Sequence, residues 1–456
     1  LASQSPINAS NVARLSESWQ TTTGPGIPIA GALATSPIIV GESVFAENVL
    51  GVVFRINMRT GGIVWNSSSH GVSVGPYGVA VAWGKVFATT PTGVVALDET
   101  NGSQVWNTTL TRSSAEGVDV QPQVVGHDVI ASTVPVSVST FYGGDARGRV
   151  GALDEQTGRL LWSFDTVDSP NLWGNPAVNS GGGSWYPPSY SPATRLLYVG
   201  TANPGPFVGT TQYPNGTSRP GPNLYTDSTV ALDLRTGHLI WFQQAVPHDL
   251  FDQDFVNVLL ATVKTRTGSR TVVVGAGKGG QVLGMDPSTG HLYWRTTVGI
   301  QENHSLTALS GPTVIMPGTF GGVLTPPATT HGVAFVATLN APDTLYPDET
   351  AYFGGKIGTM PGEVVAIDAR TGKHLWDTKV PGDPTGGVTL INDLVFTATY
   401  QGKILALSAS DGRIVWQMQA PGGINGWMSV AGSRIVVPVG LANPAILLTL
   451  HLAGKS

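Results

Sequence analysis

One ten-residue pattern recurs seven times along the chain and constrains the fold more than any other feature. It has the form apolar-Asp-x-x-Thr-Gly-x-x-apolar-Trp. It reads INMRTGGIVW to Trp65, ALDETNGSQVW to Trp106, ALDEQTGRLLW to Trp162, ALDLRTGHLIW to Trp241, GMDPSTGHLYW to Trp294, AIDARTGKHLW to Trp376 and ALSASDGRIVW to Trp416. Each copy is a strand, a tight Asp/Thr/Gly turn and a second strand entered by an apolar residue and Trp. Most copies follow another alternating strand, such as GKVFATTPTGVVAL. The motif Trp residues are separated by 41, 56, 79, 53, 82 and 40 residues. A base period near 40 with insertions means four short strands per repeat, which is a propeller blade.

Trp19, in LSESWQTT, has no motif before it. We read it as an outer strand added to the last blade, about residues 426–454, closing the ring with both termini. The fold class is therefore all-β, an eight-bladed β-propeller, with seven blades as the competing count. One closed ring is one domain over 1–456, with insertions about 163–230 and 295–360.

Composition removes several functions. Only 12% of residues are charged, against roughly 25% in ordinary soluble domains. The net charge is −5 and no Lys/Arg cluster is present, which argues against nucleic acid. Apolar runs such as Ala445–Leu450 fall short of the ~20 residues of a membrane span. There is no Cys, so disulfides, thiolate metal sites and c-type haem attachment are excluded. The start at Leu1 is as expected of a mature secreted chain, and N-x-S/T sequons occur at Asn8, Asn66, Asn101, Asn107, Asn215 and Asn303. A surface of Ser, Thr, Asn, Gln and Gly loses few ion pairs in acid. The expected location is extracytoplasmic, with an acidic exterior as one reading. A low-charge surface also makes a homo-oligomer plausible.

The repeats resemble the Trp-docking motifs of the quinoprotein (PQQ-dependent) alcohol dehydrogenase superfamily, over nearly the whole chain. Within GGGSWYPPSYSPATRLLYVGTANPGP, Trp185 and Asn203 match the family's cofactor-stacking Trp and its metal-binding Asn, 18 residues apart. PHDLFDQD resembles the family's Pro-His-Asp-x-aromatic-Asp segment. The resemblance makes Asp252 the catalytic base and puts Asp254 where lanthanide-using members carry an additional carboxylate. In a strand, Asp252 and Asp254 would face the same side. Lys278, in VVVGAGKGGQVLGMD, falls where the family has a cofactor-contacting Lys or Arg.

The departures are equally specific. The family's metal-binding Glu has no counterpart between Gly126 and Ala152, and its vicinal disulfide is absent. A carboxylate-binding Arg becomes Tyr77, and a Glu near the first strand becomes Ala34. These losses favour a hydrolase without cofactor or metal, similar to the superfamily's tetrathionate hydrolases of acidophilic sulfur metabolism. In that reading Asp252 and Asp254 are catalytic, while Trp185, Asn203, Lys278 and Arg147 bind a small anionic substrate. The alternative is an alcohol or sugar dehydrogenase using PQQ with calcium or a lanthanide, its metal held by Asn203, Asp252 and Asp254. A non-catalytic surface scaffold is the third reading.

Overall fold

The structure is a computed structural model, and it describes residues 5–26, 31–73, 75–136, 144–348, 357–358 and 360–454. Eight antiparallel sheets form blades 1 to 8, seven of them four-stranded and the third joined by a fifth short strand, Glu116–Gly117. Blade 1 runs from Ile38–Val40 to Ile63–Asn66, blade 2 from Val79–Ala82 to Gln104–Thr109, and blade 3 from Gln123–Val125 to Leu160–Asp165. Blade 4 spans Ser189–Ser191 to Leu239–Gln244, blade 5 Asn257–Thr265 to Leu292–Thr297, blade 6 Ala328–Thr330 to His374–Val380, and blade 7 Thr389–Ile391 to Ile414–Gln419. Blade 8 is made of Ser429–Ala431, Arg434–Val439 and Ala445–Leu452, completed by Leu15–Gly24 from the other end of the chain. Eight is therefore the blade count, and the ring closes through Trp19's strand as its sequence suggested. Among the described residues the only helices are three short 3-10 turns, and none is long and apolar enough to cross a membrane.

The repeat's residue types follow from contacts between blades. The indole N–H of Trp106 donates to Glu155 O at 3.0 Å, and its ring lies on Gly158. Trp19 does the same to Met58 O and Gly61, Trp162 to Leu234 O and Gly237, and Trp294 to Ala369 O and Gly372. A Cβ on Gly158 would sit 2.7 Å from the Trp106 ring, and its φ is +71°. Glycine is thus required there both by space and by backbone conformation. The motif Asp fixes the turn from the other side. Asp154 Oδ1 accepts the N–H groups of Gln156 and Thr157 and the Thr157 hydroxyl. Those bonds hold its pKa below the ordinary carboxylate value.

Strand alternation sends successive side chains into different gaps. In blade 3, Val129 and Ala131 pack toward blade 2, whereas Ile130 packs toward blade 4. Each of the eight gaps between neighbouring blades holds its own apolar cluster.

The two long insertions meet each other. The excursion after Leu196–Gly200 supplies Phe207 and Val208, and the segment joining blades 5 and 6 supplies Leu309 and Ile315. With Leu345 and with Leu250 and Phe251 of the blade 4–5 loop they form a ninth cluster. Asn215 ties the two insertions together, its amide donating to Leu309 O at 3.1 Å and accepting Leu309 N–H at 2.7 Å. Both ends of that amide are thus used within the fold. Asn66, Asn101 and Asn107 are exposed on the blade surface.

Candidate active site

The loop 247–254 joins the outer strand of blade 4 to the inner strand of blade 5. Asp249 organises it. Its Oδ1 accepts Phe251 N–H at 2.8 Å and its Oδ2 accepts Gln253 N–H at 2.6 Å. The chain then passes through positive φ at Asp252 (57°) and Asp254 (21°), a conformation for which Asp pays less than bulkier residues. The pair does not lie in a strand, so the same-side facing that a strand would give does not apply. Its convergence comes from a left-handed turn.

Both carboxylates meet one ammonium group. Lys278 Nζ lies 2.8 Å from Asp252 Oδ2 and 2.7 Å from Asp254 Oδ2. Lys278 stands in the turn between Gly268–Ala276 and Gln281–Met285. That turn clasps the loop through Lys278 N–H to Asp254 O at 3.1 Å and Gly279 N–H to Gln253 O at 3.3 Å. All three charged residues are buried. Asn203 closes the group by its backbone, its N–H donating to Asp254 Oδ1 at 2.7 Å, while its side-chain amide donates to Pro204 O at 3.1 Å. The Lys278 ammonium lies 5.9 Å from the Trp185 ring centroid. Trp185 leans on Tyr186 at 4.6 Å, and Tyr186 meets Trp427 edge-on at 5.4 Å.

Trp185, Asn203, Asp252, Asp254 and Lys278 are thus brought together, from positions up to 93 apart. Arg147 is not. Its guanidinium donates to Ser169 O at 3.2 Å and Pro170 O at 2.8 Å, and among the described residues it pairs with neither Asp. Tyr77 and Ala34 adjoin each other, Ala34 N–H donating to the Tyr77 hydroxyl at 3.3 Å. Of the stretch 126–152 that lacks the family's Glu, residues 137–143 lie outside the described residues.

Several site residues escaped the sequence reading. Arg219 is wholly buried and donates to Pro206 O, Phe207 O, Asp249 O and Asn223 Oδ1, at 2.6–3.1 Å. It pins the insertion under the 247–254 loop. Burial pulls its pKa down to about 10, which leaves it cationic at neutral pH. Asp227 is wholly buried with no hydrogen-bond partner on either oxygen, and Asp252 Oδ1 and Trp427 Nε1 are also buried without one. Only tertiary proximity marks these positions, since neither Arg219 nor Asp227 sits in a recognisable motif.

Burial dominates the site's proton affinities. It pushes Asp252 well above the ordinary carboxylate value, opposed by Lys278 and reinforced by repulsion from Asp254. Burial also raises Glu47, Asp227 and Asp249, and takes Asp119 to about 8. A carboxyl with a raised folded pKa binds its proton more tightly in the native state than when unfolded. The stability it contributes is complete below the unfolded value and is lost as pH rises through the folded one. The thermal midpoint should therefore fall from about pH 5 to about pH 9, beginning above the unfolded carboxylate value near 4. Thermal melts across that range check this, and a midpoint that climbs throughout contradicts it.

An eight-bladed ring thus carries an aromatic wall beside a carboxylate–ammonium–carboxylate group. The family model for the glucose/ethanol/alcohol dehydrogenase β-propeller domain matches residues 2–298, and the chain belongs to this family. A second model, outer membrane protein assembly factor BamB, matches residues 361–440. A putative dehydrogenase XoxF of Paracoccus denitrificans is 27% identical over 63% of this chain and 51% of its own length. The lanthanide-dependent methanol dehydrogenase of Methylacidiphilum fumariolicum is 29% identical over 58% of this chain and 47% of its own. The chain thus spans about half the length of these relatives. The quinohemoprotein alcohol dehydrogenase structure from Comamonas testosteroni superposes with a TM-score of 0.83 at 22% identity, covering 99% of this chain and 78% of that one.

These findings overturn the hydrolase reading, together with its tetrathionate substrate and its lack of a cofactor. The relatives are alcohol and methanol dehydrogenases, quinone- or lanthanide-dependent by name. The geometry agrees. Lys278 already bridges two carboxylates, and Arg147 is turned away, so the two cations assigned to a dianionic substrate do not serve it.

Proposed function

We propose that this chain is the propeller of a PQQ- and metal-dependent alcohol dehydrogenase. The observation that carries the reading is the convergence of Asp252, Asp254 and Lys278 against Trp185. The residues fit the cofactor on three counts. Trp185 offers a half-buried flat ring, Trp427 Nε1 is a buried donor without an acceptor, and Asp252 Oδ1 is a buried acceptor without a donor. Among the described residues no three His, Asp or Glu groups form a preformed metal cage. A calcium or lanthanide ion would accordingly be held by Asn203, Asp252 and Asp254 together with oxygens of the quinone, as hard cations commonly share ligands with what they bind.

When bound, the quinone supplies a two-electron acceptor for hydride from the carbinol carbon. Asp252 takes the hydroxyl proton, and its raised affinity for protons suits a base working near neutral pH. Lys278 keeps the carboxylate pair oriented and offsets its charge, and Asp249 fixes the turn that presents both. The insertions behind Leu250 and Phe251 exclude water from the back of the loop. No Cys for haem attachment lies within this sequence, so any haem that takes the electrons lies outside it. An extracytoplasmic location fits this reading.

The test is to incubate the protein with PQQ and calcium or lanthanum, remove free quinone and record the mass spectrum of the denatured extract. Retained PQQ and quinone-dependent reduction of a dye by simple alcohols are expected. No retention with either metal removes the reading.

A further inference from the structure

Arg219 is wholly buried and, among the described residues, makes no ion pair. A cation taken out of water is costly unless its geometry achieves what a neutral side chain cannot. The acceptors it reaches are all neutral oxygens. Nε and Nη2 each donate to Pro206 O at 3.1 Å, and Nη1 donates to Asn223 Oδ1 at 2.7 Å. Nη2 also reaches Phe207 O at 2.7 Å and Asp249 O at 2.6 Å. These acceptors belong to two segments, the insertion at 206–223 and the loop 247–254. A planar guanidinium, with five donors in a fixed fork, serves both at once. An ammonium, with three donors at one point, does not.

Asp249 is held from both ends. Arg219 fixes its backbone oxygen, while its carboxylate accepts the N–H groups of Phe251 and Gln253. Those two amides flank Asp252, whose φ is 57°. The Gln253 side-chain amide adds a third donor to the same carboxylate at 3.1 Å. Around Arg219 the two segments are pressed together. Asn223 N–H donates to Pro247 O at 2.8 Å, and a Cβ on Gly216 would stand 3.0 Å from both His248 Nε2 and Leu250 Cδ2.

We infer that Arg219 is a positioning residue for Asp252: it fixes the Asp249 carbonyl and, through it, the turn that aims the base. Its bonds run to the protein, so it acts through Asp249. Its bearing on turnover rests on the quinone reading above, whereas its hold on the loop does not. Without that hold the turn keeps its own bonds but not its place. A base displaced by about 1 Å costs about a hundredfold in rate.

The test compares the whole chain with Arg219→Lys in two measurements. Without quinone, amide hydrogen exchange is followed on peptides covering 247–254 and on the blade 3 strand Arg149–Asp154. In the variant the Phe251 and Gln253 amides should exchange at least about tenfold faster, with the blade strand unchanged. After loading with PQQ and calcium or lanthanum, rates with an alcohol are divided by bound quinone. The kcat per quinone should fall about a hundredfold, while KM and quinone bound per chain change less than about threefold. A merely structural role would lower the amount of loaded protein and leave kcat per quinone as it was. Should Arg219→Lys not fold, Asn223→Ala keeps the guanidinium and removes one acceptor. It should give the same loop-confined gain in exchange and about a tenfold fall in kcat per quinone. Unchanged exchange at 247–254, or unchanged kcat per quinone, overturns the Arg219 assignment alone. Faster exchange in the variant, with no PQQ bound even by the wild type, overturns the quinone reading and leaves Arg219 as the anchor of the loop.

Discussion

Replacing Asp252 by Asn should lower turnover of the quinone-loaded protein by about a thousandfold, within the range measured for loss of a positioned base. The fold should survive, because Asn keeps the shape of the side chain. The ammonium group would not be left alone either, since Lys278 keeps its 2.7 Å contact with Asp254. Quinone retention should persist, as Trp185 and Trp427 are untouched. Steady-state rates with an alcohol, paired with quinone stoichiometry and a thermal melt, separate these effects. Near-wild-type turnover in a fully loaded Asn variant would take the base role away from Asp252. Lost turnover with lost quinone would instead make Asp252 chiefly a binding residue.

The largest stability effect is expected at a docking Trp. Trp294 is nearly buried between blades 5 and 6, its ring 2.7 Å from where a Cβ on Gly372 would stand and its N–H on Ala369 O at 3.0 Å. Truncation to Ala removes the ring and opens a cavity, which costs about 3–5 kcal/mol. Trp294→Phe fills most of the space and loses mainly the hydrogen bond, at about 1 kcal/mol. Urea unfolding of the three proteins measures the difference. A loss below about 1 kcal/mol for Trp294→Ala would show that the blades do not depend on this contact. Blade 5 also carries Lys278, so partial melting of this seam should loosen the active site before the ring opens.

Much of the architecture was legible in the repeat because the contact that makes the ring is written within each copy. Trp, Gly and Asp occur at fixed spacing because the Trp of one blade lies on the Gly of the next, and the Asp holds that Gly's turn. Trp19 could be placed for the same reason: it docks on Gly61 of blade 1 although it belongs to blade 8. The 247–254 loop was legible only in part. PHDLFDQD pointed to Asp252 and Asp254 through resemblance, but strand alternation was the only geometry the sequence offered for them. The Asp249 side-chain bonds that force positive φ depend on contacts four residues apart, which alternation does not describe.

Function was misread where absences were weighed too heavily. The missing Cys pair and the replacements at Tyr77 and Ala34 suggested a site emptied of its cofactor. The comparisons place the chain in the dehydrogenase family despite them, and the aromatic wall and the Asp–Lys–Asp group are intact. Arg147 shows the opposite error, a cation chosen by nearness in sequence that spends its donors on Ser169 and Pro170 carbonyls.

By itself the sequence determined the blade repeat, the closure of the ring and the segments that carry Trp185, Asn203, Asp252 and Lys278. Those are properties of local spacing and residue type. Only the tertiary structure decided that Lys278 bridges both carboxylates and that Arg219 locks the insertion beneath Asp249. Such contacts join residues dozens of positions apart across a closed ring, and burial sets their charge states. Neither quantity exists until the blades have packed.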